Sequence, residues 1–465
     1  MTTLLEDGMV LTASRLAAEI ERQVDAAVAD IVPPEPVAGV SAVQGQNVST
    51  TRWSARFGYA TSLASGEAVD TQTWHHTQTT EVPPSWVRLV WPYDQLDTCT
   101  IAGAIIAPSA SVTSPINPVD ENGDPVDWID VTFNNAGLPL TLAAQLDAED
   151  DQAGADDTTQ VLFEPPVNGS VWPDGPRLKS QRYTYSDWIP IKALARTDVV
   201  GGYPIIMHRV TFTGAISLTQ EVSAADHLLM GGHQVKAYAN AGDCVATPAS
   251  FVSTTLTDIA TPIVQYITTH PVVSLAVAGD STQTPTANHV SLTALAISTD
   301  ENPVEFFAGG TGGFDAEAYC GNMRRLSPHL KLSVVFIEVR SANGINSVAD
   351  AELDWAVAIA LADTVRGYGG IPVLMTPLPC PTRINAAGDP AAVEASRLDI
   401  VARCLAAQKA GMYVLDLDDF FSDGATPVAN FRTGTSNDGI HPSDDGQSDC
   451  AADLTTPFTR TLLGL

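Results

Sequence analysis

Residues 272–282 read VVSLAVAGDST. An uncharged, largely apolar run from Val272 to Ala278 stops at Gly279, and an acid and a hydroxyl follow it, Asp280 and Ser281. The run predicts a buried strand of the kind found inside helix-covered sheets, with Gly279 ending it. Ordinary turn residues would suffice at that end, so the acid and the hydroxyl raise the question of what they do there.

The chain downstream has the matching texture. Candidate strands at 303–307, 332–339, 371–376 and 413–417 alternate with helical segments at 350–366 and 394–411. In the second of these helices Leu398, Val401 and Leu405 share one face, and Gly411 is placed to end it. Alternation of this kind predicts an α/β fold, a parallel sheet with helices on both faces. Ligands of such sheets bind beyond the carboxyl ends of the strands, and Ser281 sits at one of those ends.

Upstream the pattern changes. From about 35 to 260, short runs of period two such as SWVRLVW (85–91), WIDVTFN (128–134) and HRVTFTGAISL (208–218) are punctuated by Pro, Gly, Asn and Asp. They predict an all-β sandwich or jelly roll. DENGDP (120–125) reads as a hairpin turn and LDAEDDQAGADD (146–157) as a solvated loop. Before this region, residues 14–32 carry Leu16, Ile20, Val24, Val28 and Ile31 at helical spacing, ended by Pro33-Pro34. That helix is expected to dock on its own chain; its second use would be a seam between subunits of a homo-oligomer. The expected organisation is a helical segment at 1–34, a β-rich accessory domain at 35–264 and an α/β domain at 265–465.

Composition narrows the partners. With 54 acidic and 23 basic residues the chain carries a formal charge of −31, which repels phosphate backbones and argues against nucleic acid. No stretch is apolar enough to span a membrane, and the N-terminus has no basic-then-apolar leader, so cytoplasmic synthesis is expected. Six cysteines without paired spacing suggest buried thiols rather than a disulfide or zinc framework.

The other strand ends supply chemistry. VEFF (304–307) is followed by AGGTGG, which offers the backbone N–H of Gly312, with Gly309, Gly310 and Gly313 as neighbouring registers. SVVFIEV (333–339) is followed by RSANG, which offers the amide of Asn343, with Asn346 as the alternative register. Near the C-terminus, SNDGIHPSDDG places Asp438 three residues before His441. A nucleophile, an imidazole with a carboxylate behind it, and donors for an oxyanion are the parts of acyl transfer.

These four blocks resemble the SGNH (GDSL-type) hydrolases, in the same order and at similar spacing. The matching residues are Gly279-Asp280-Ser281, Gly312, Ser341-Ala342-Asn343 and Asp438-Gly439-Ile440-His441, followed by Pro442. The resemblance covers roughly 265–465. It implies a flavodoxin-like three-layer α/β/α domain that hydrolyses carboxylic esters without a metal or organic cofactor. Ser281 would be the nucleophile, His441 the base, Asp438 its orienting carboxylate, and Ser281, Gly312 and Asn343 the oxyanion donors. Three positions depart from the pattern: Thr282 stands where Leu is usual, Ser341 where Gly is usual, and Gly344 where Asp often follows.

The expected activity is a serine esterase on a small-molecule or carbohydrate ester, with O-acetylated carbohydrate as the leading substrate. A lipase or thioesterase of the same family is one alternative. The other is a structural or adhesive protein, as in a phage-like tail, carrying such a domain for recognition.

Overall fold

The computed structural model describes residues 39–41, 46–54, 61–62, 72–79, 84–93, 99–110, 118–120, 122–133, 140–142, 182–193, 204–213, 217–218, 235–250, 263–283, 288–299, 304–310, 314–330 and 332–465. The helix expected over 14–32, the acidic stretch 146–157 and Gly312 lie outside the described residues.

Six strands of the β-rich part are used below: β1 (Gln46–Ser54), β2 (Gln72–Thr79), β3 (Pro84–Tyr93), β4 (Cys99–Ser109), β5 (Ile205–Thr213) and β6 (Val235–Ala241). A seventeen-residue strand, β7 (Ile263–Gly279), follows them. β6, β2, β5 and β4 lie side by side in that order, antiparallel throughout. Among the described residues of the run 128–134, only Ile129–Asp130 form a strand, on the β4 edge. The run 208–218 divides between β5 and a short strand, Ser217–Leu218. At 120–125 the described residues form the expected hairpin turn: Asp120 Oδ1 accepts the N–H groups of Asn122 and Asp124, and Gly123 takes φ +86°.

Beyond β7 come β8 (Val304–Gly310), β9 (Val334–Glu338), β10 (Ile371–Met375) and β11 (Tyr413–Leu415). All pairings among β7 to β11 are parallel, in the spatial order β8-β7-β9-β10-β11. In chain order this is 2-1-3-4-5, the flavodoxin-like arrangement, in which the strand order reverses around the first strand. The helices are α1 (His289–Ile297), α2 (Ala316–Leu330), α3 (Ala351–Gly367), α4 (Pro381–Asn385), α5 (Pro390–Lys409), α6 (Leu417–Phe421), α7 (Asp444–Cys450) and α8 (Thr456–Leu463).

The period of two along β7 sorts its side chains to the two faces. Ala276 and Ala278 pack with Tyr319 and Met323 of α2 and Ala358 and Leu361 of α3. Leu275 and Val277 pack with Val290 and Ala294 of α1 and Leu462 of α8. Both faces are therefore sealed, which is why Val272–Ala278 reads as an uncharged, largely apolar run. Arg397, fully buried on α5, is matched by Glu394 at 2.7 Å, Asp418 at 2.6 Å and the carbonyl of Pro377. Burial works against its charge, but the two carboxylates outweigh that and raise its pKa.

β7 also belongs to the β-rich part. Ile263–Thr268 pairs antiparallel with β3, and Val264–Ile267 with β1, before the parallel pairing begins at Val273. One strand thus runs without a break through the position, 264/265, where the sequence suggests a division.

Two histidines of the core are held neutral. Burial pulls His208 on β5 and His289 on α1 each down to about 3. Unfolded, such rings protonate near the free-imidazole value of about 6.5. Between those limits the unfolded chain binds more protons, so stability falls as pH falls from about 6.5 toward 3. Each ring should contribute up to about 1.4 kcal/mol per pH unit. Denaturant midpoints at neutral pH and at about pH 4.5 check this, and a His289→Gln variant should show the shallower dependence.

Candidate active site

The turn after β7 is held from two sides. Asp280 is fully buried, and its Oδ1 accepts the N–H of Thr282 at 2.7 Å. Its Oδ2 accepts the hydroxyl of Ser341 at 2.7 Å, the N–H of Ala342 at 2.6 Å and, at a longer 3.4 Å, the amide of Asn343. The acid therefore pins the end of β7 to the loop after β9. The same contacts account for Ser341 where glycine is usual. Its hydroxyl reaches both Asp280 and the carbonyl of Phe314, at 2.8 Å.

With Asp280 so occupied, Ser281 faces the C-terminal loop. Its Oγ lies 2.9 Å from Nε2 of His441, 160 residues away in sequence. Nδ1 of His441 lies 2.7 Å from Oδ2 of Asp438. The two oxygens of Asp438 divide their work: Oδ1 accepts the N–H groups of Ile440 and His441, each at 2.8 Å, while Oδ2 takes the ring. A carboxylate three residues before the imidazole can thus fold its own loop and orient the ring together. Gly439 enables the bend with φ +71°, and a Cβ there would come 2.5 Å from the hydroxyl of Thr382. That hydroxyl donates to the Asp438 carbonyl at 2.7 Å, so the start of α4 braces the acid–imidazole turn.

The electrostatics of the pair follow. Partial burial pushes Asp438 upward, but the imidazole of His441 and the N–H groups of His441 and Ile440 outweigh it and hold the carboxyl at about 2. An ionised Asp438 favours the tautomer with the proton on Nδ1, which leaves Nε2 able to accept a proton from Ser281. Burial, and after it the charge of Asp280, pushes Glu338 well above the ordinary carboxylate range.

Of the residues suggested as oxyanion donors, Asn343 stands beside this turn, half-buried. One hydrogen of its amide goes to the carbonyl of Phe314 at 3.0 Å, and only the long contact to Asp280 engages the other. Asn346, the alternative register, is exposed further along the loop. Gly309 is buried in β8, where a Cβ would collide with the Val277 carbonyl and come 2.7 Å from the sulfur of Met323. Gly310 ends β8, and Gly312 and Gly313 lie outside the described residues.

Sequence reasoning passed over Glu338. The signal was present, an acid inside the apolar run SVVFIEV, but an acid at a strand end is ordinary when the edge is wet. Here the strand is central and the carboxyl is buried beneath the turn. Among the described residues, no group of three or more His, Cys, Asp or Glu side chains is arranged to hold a metal ion. No helix of the described residues is long and apolar enough to cross a membrane.

No protein-family model matches the chain, and no curated protein matches it in sequence. Several solved structures are similar to part of it. A candidate acylhydrolase from Bacteroides fragilis NCTC 9343 is 17% identical with a TM-score of 0.34; the match covers 41% of this chain and 88% of that one. A GDSL-like lipase from Bacteroides thetaiotaomicron VPI-5482 is 14% identical with a TM-score of 0.31, over 40% of this chain and 88% of that one. The acetyl xylan esterase AlAXEase is 16% identical with a TM-score of 0.31, over 39% of this chain and 96% of that one. The likeness is thus a partial one, confined to about two-fifths of this chain, and the solved proteins that share it include hydrolases of the GDSL type.

Proposed function

We propose that this chain is a serine esterase that works through an acyl-enzyme. The observation that carries the reading is the continuous contact from the Ser281 hydroxyl through the His441 ring to the Asp438 carboxyl, 2.9 Å and then 2.7 Å. A serine hydroxyl is a poor nucleophile at neutral pH unless a base within hydrogen-bond reach takes its proton. In this reading Ser281 Oγ attacks the acyl carbon while His441 Nε2 takes the proton. Charge gathers on the carbonyl oxygen and meets the N–H groups of Ser281 and Gly312 and the amide of Asn343. Collapse expels the alcohol, which receives the proton from His441, and leaves the acyl group on Ser281. Water, deprotonated by His441, then attacks the acyl carbon, and the acid departs as Ser281 regains its proton.

The openness of the site supports a substrate with a large alcohol part. The side chains of His441 and Asp438 are 40% and 49% exposed, so a bulky group can stand over them. An O-acetylated carbohydrate fits that shape: a short acyl group enters and the sugar stays outside. The β-rich residues 35–264 would then be an accessory region beside the catalytic residues 265–465.

The reading is tested on the full chain with a fluorophosphonate probe and with p-nitrophenyl acetate. One probe per chain should attach at Ser281, and hydrolysis should follow the fraction left unlabelled. Acetylated sugars should be turned over in preference to long-chain acyl esters. A folded chain that neither labels nor hydrolyses would overturn the reading in favour of a structural or adhesive protein.

A further inference from the structure

We propose that Glu338 is the positioning residue for Ser281, the group that sets the serine turn against the imidazole; this rests on the esterase reading of that site. Glu338 ends β9, adjacent to β7, and is 2% exposed. Its Oε2 accepts the backbone N–H of Asp280 at 2.8 Å, and its Oε1 accepts the hydroxyl of Thr282 at 3.0 Å. One carboxyl therefore tethers the residue on each side of Ser281. It is also packed directly under the start of the turn, where a Cβ on Gly279 would come 2.6 Å from Oε2. Together with Gln283, whose Cγ would lie 2.5 Å from that Cβ, this contact accounts for glycine at the end of the strand.

The bracket is itself held. Tyr319, fully buried on α2, donates its hydroxyl to the Glu338 carbonyl at 2.7 Å. On the far side, Gln447 of α7 donates to the Thr282 carbonyl at 3.1 Å and accepts the N–H of His289 at 2.9 Å. Since α7 begins just after His441, the turn carrying the nucleophile and the segment carrying the base are referenced to one another from behind. Asp280 fixes the turn to the β9 loop, and Glu338 fixes its height above the sheet. Thr282, where leucine is usual, is the partner that makes the second tether. Leucine could not donate this bond.

Tethers of this kind act on geometry, so their loss should lower kcat and leave KM nearly unchanged. Glu338→Leu fills the space but removes both acceptors, and kcat should fall about a hundredfold, as for a nucleophile displaced by about 1 Å. Glu338→Gln keeps an acceptor for Asp280 and can donate to the Thr282 oxygen, so it should restore kcat to within about threefold. Thr282→Val removes one tether at constant shape, and should lower kcat about tenfold. Nitrogen-15 shifts of the His441 ring, measured on the full chain, report the contact with Ser281 whether or not an ester is turned over. They should move toward those of Ser281→Ala in Glu338→Leu and stay at wild type in Glu338→Gln.

Wild-type kcat and ring shifts in a folded Glu338→Leu would overturn the proposal. So would a folded Glu338→Gln as impaired as Glu338→Leu, since charge rather than tethering would then be at work. If Glu338→Leu does not fold, Thr282→Val decides, and an unchanged kcat or unchanged ring shifts in it overturn the proposal. A wild type that turns over no ester sinks the esterase reading alone, and the ring shifts still decide for Glu338.

Discussion

Replacing Ser281 with alanine is expected to lower kcat for ester hydrolysis by about a million-fold, the scale seen when a serine nucleophile is removed from such a set. The hydroxyl lies 2.9 Å from Nε2 of His441, and among the described residues no other hydroxyl contacts that nitrogen. The loss should fall on kcat, because the proposed oxyanion donors are untouched. A residue of roughly 10³–10⁴ over water is expected from those donors. The variant should fold normally, since Ser281 is half-buried and Asp280, not Ser281, holds the turn. Single-turnover assays with purified chain, alongside unfolding curves, separate the two effects. A Ser281→Ala chain that hydrolyses p-nitrophenyl acetate at the wild-type rate would place the chemistry elsewhere.

Asp438→Asn is expected to cost about 10⁴-fold in kcat for a different reason. An asparagine can still accept the N–H groups of Ile440 and His441, which now bond to Oδ1 at 2.8 Å, so the loop should keep its shape. Toward the ring, however, its amide can donate to Nδ1. That stabilises the tautomer with the proton on Nε2, which can no longer accept from Ser281. The pH profile gives an independent check. Asp438 is held at about 2, so its carboxylate contributes fully above the free aspartate value near 3.9 and is lost only as pH falls through about 2. Loss of wild-type activity between neutral pH and about pH 4 must therefore come from a group other than Asp438 or from acid unfolding. Circular dichroism at each pH divides these, because the buried histidines make unfolding the steeper event. An acid limb with its midpoint near 2 in a fully folded chain would assign the limb to Asp438.

Much of the α/β part could be read from the sequence because its physics is local. Val272–Ala278 is uncharged and, Ser274 aside, apolar because both faces are covered, and Gly411, at φ +99°, closes its helix as its position suggests. Asp438 and His441 are three residues apart, and that spacing nearly determines their contact. Other features depend on neighbours that periodicity does not carry. Ile263–Thr268 mixes polar and apolar residues, and nothing in it announces that it continues the apolar run into one strand. α1, HVSLTALAI, is apolar on most sides and lacks a stripe, so its start is evident only from Asn288, whose side chain caps Val290 and Ser291. Ser341 and Thr282 looked like departures from a pattern. Their hydroxyls turn out to be bonded to Asp280 and Glu338, carboxyls that come from other strands. Trp128 and Trp188 are half-buried, with Arg209 and Arg88 stacked over them at 4.6 Å and 4.5 Å, contacts that periodicity does not announce.

The long strand β7 has a mechanical consequence. Two modules joined by a flexible tether sample many separations, and the tether sets an effective concentration for whatever the first module holds. Here the join is one continuous strand, paired on both sides through Ile267 and again from Leu275, so on the esterase reading a polymer gripped by the β-rich surface would be presented to the serine over a restricted range of offsets, as along a ruler. Selectivity would then depend on where along a chain the acyl groups occur as well as on what they are.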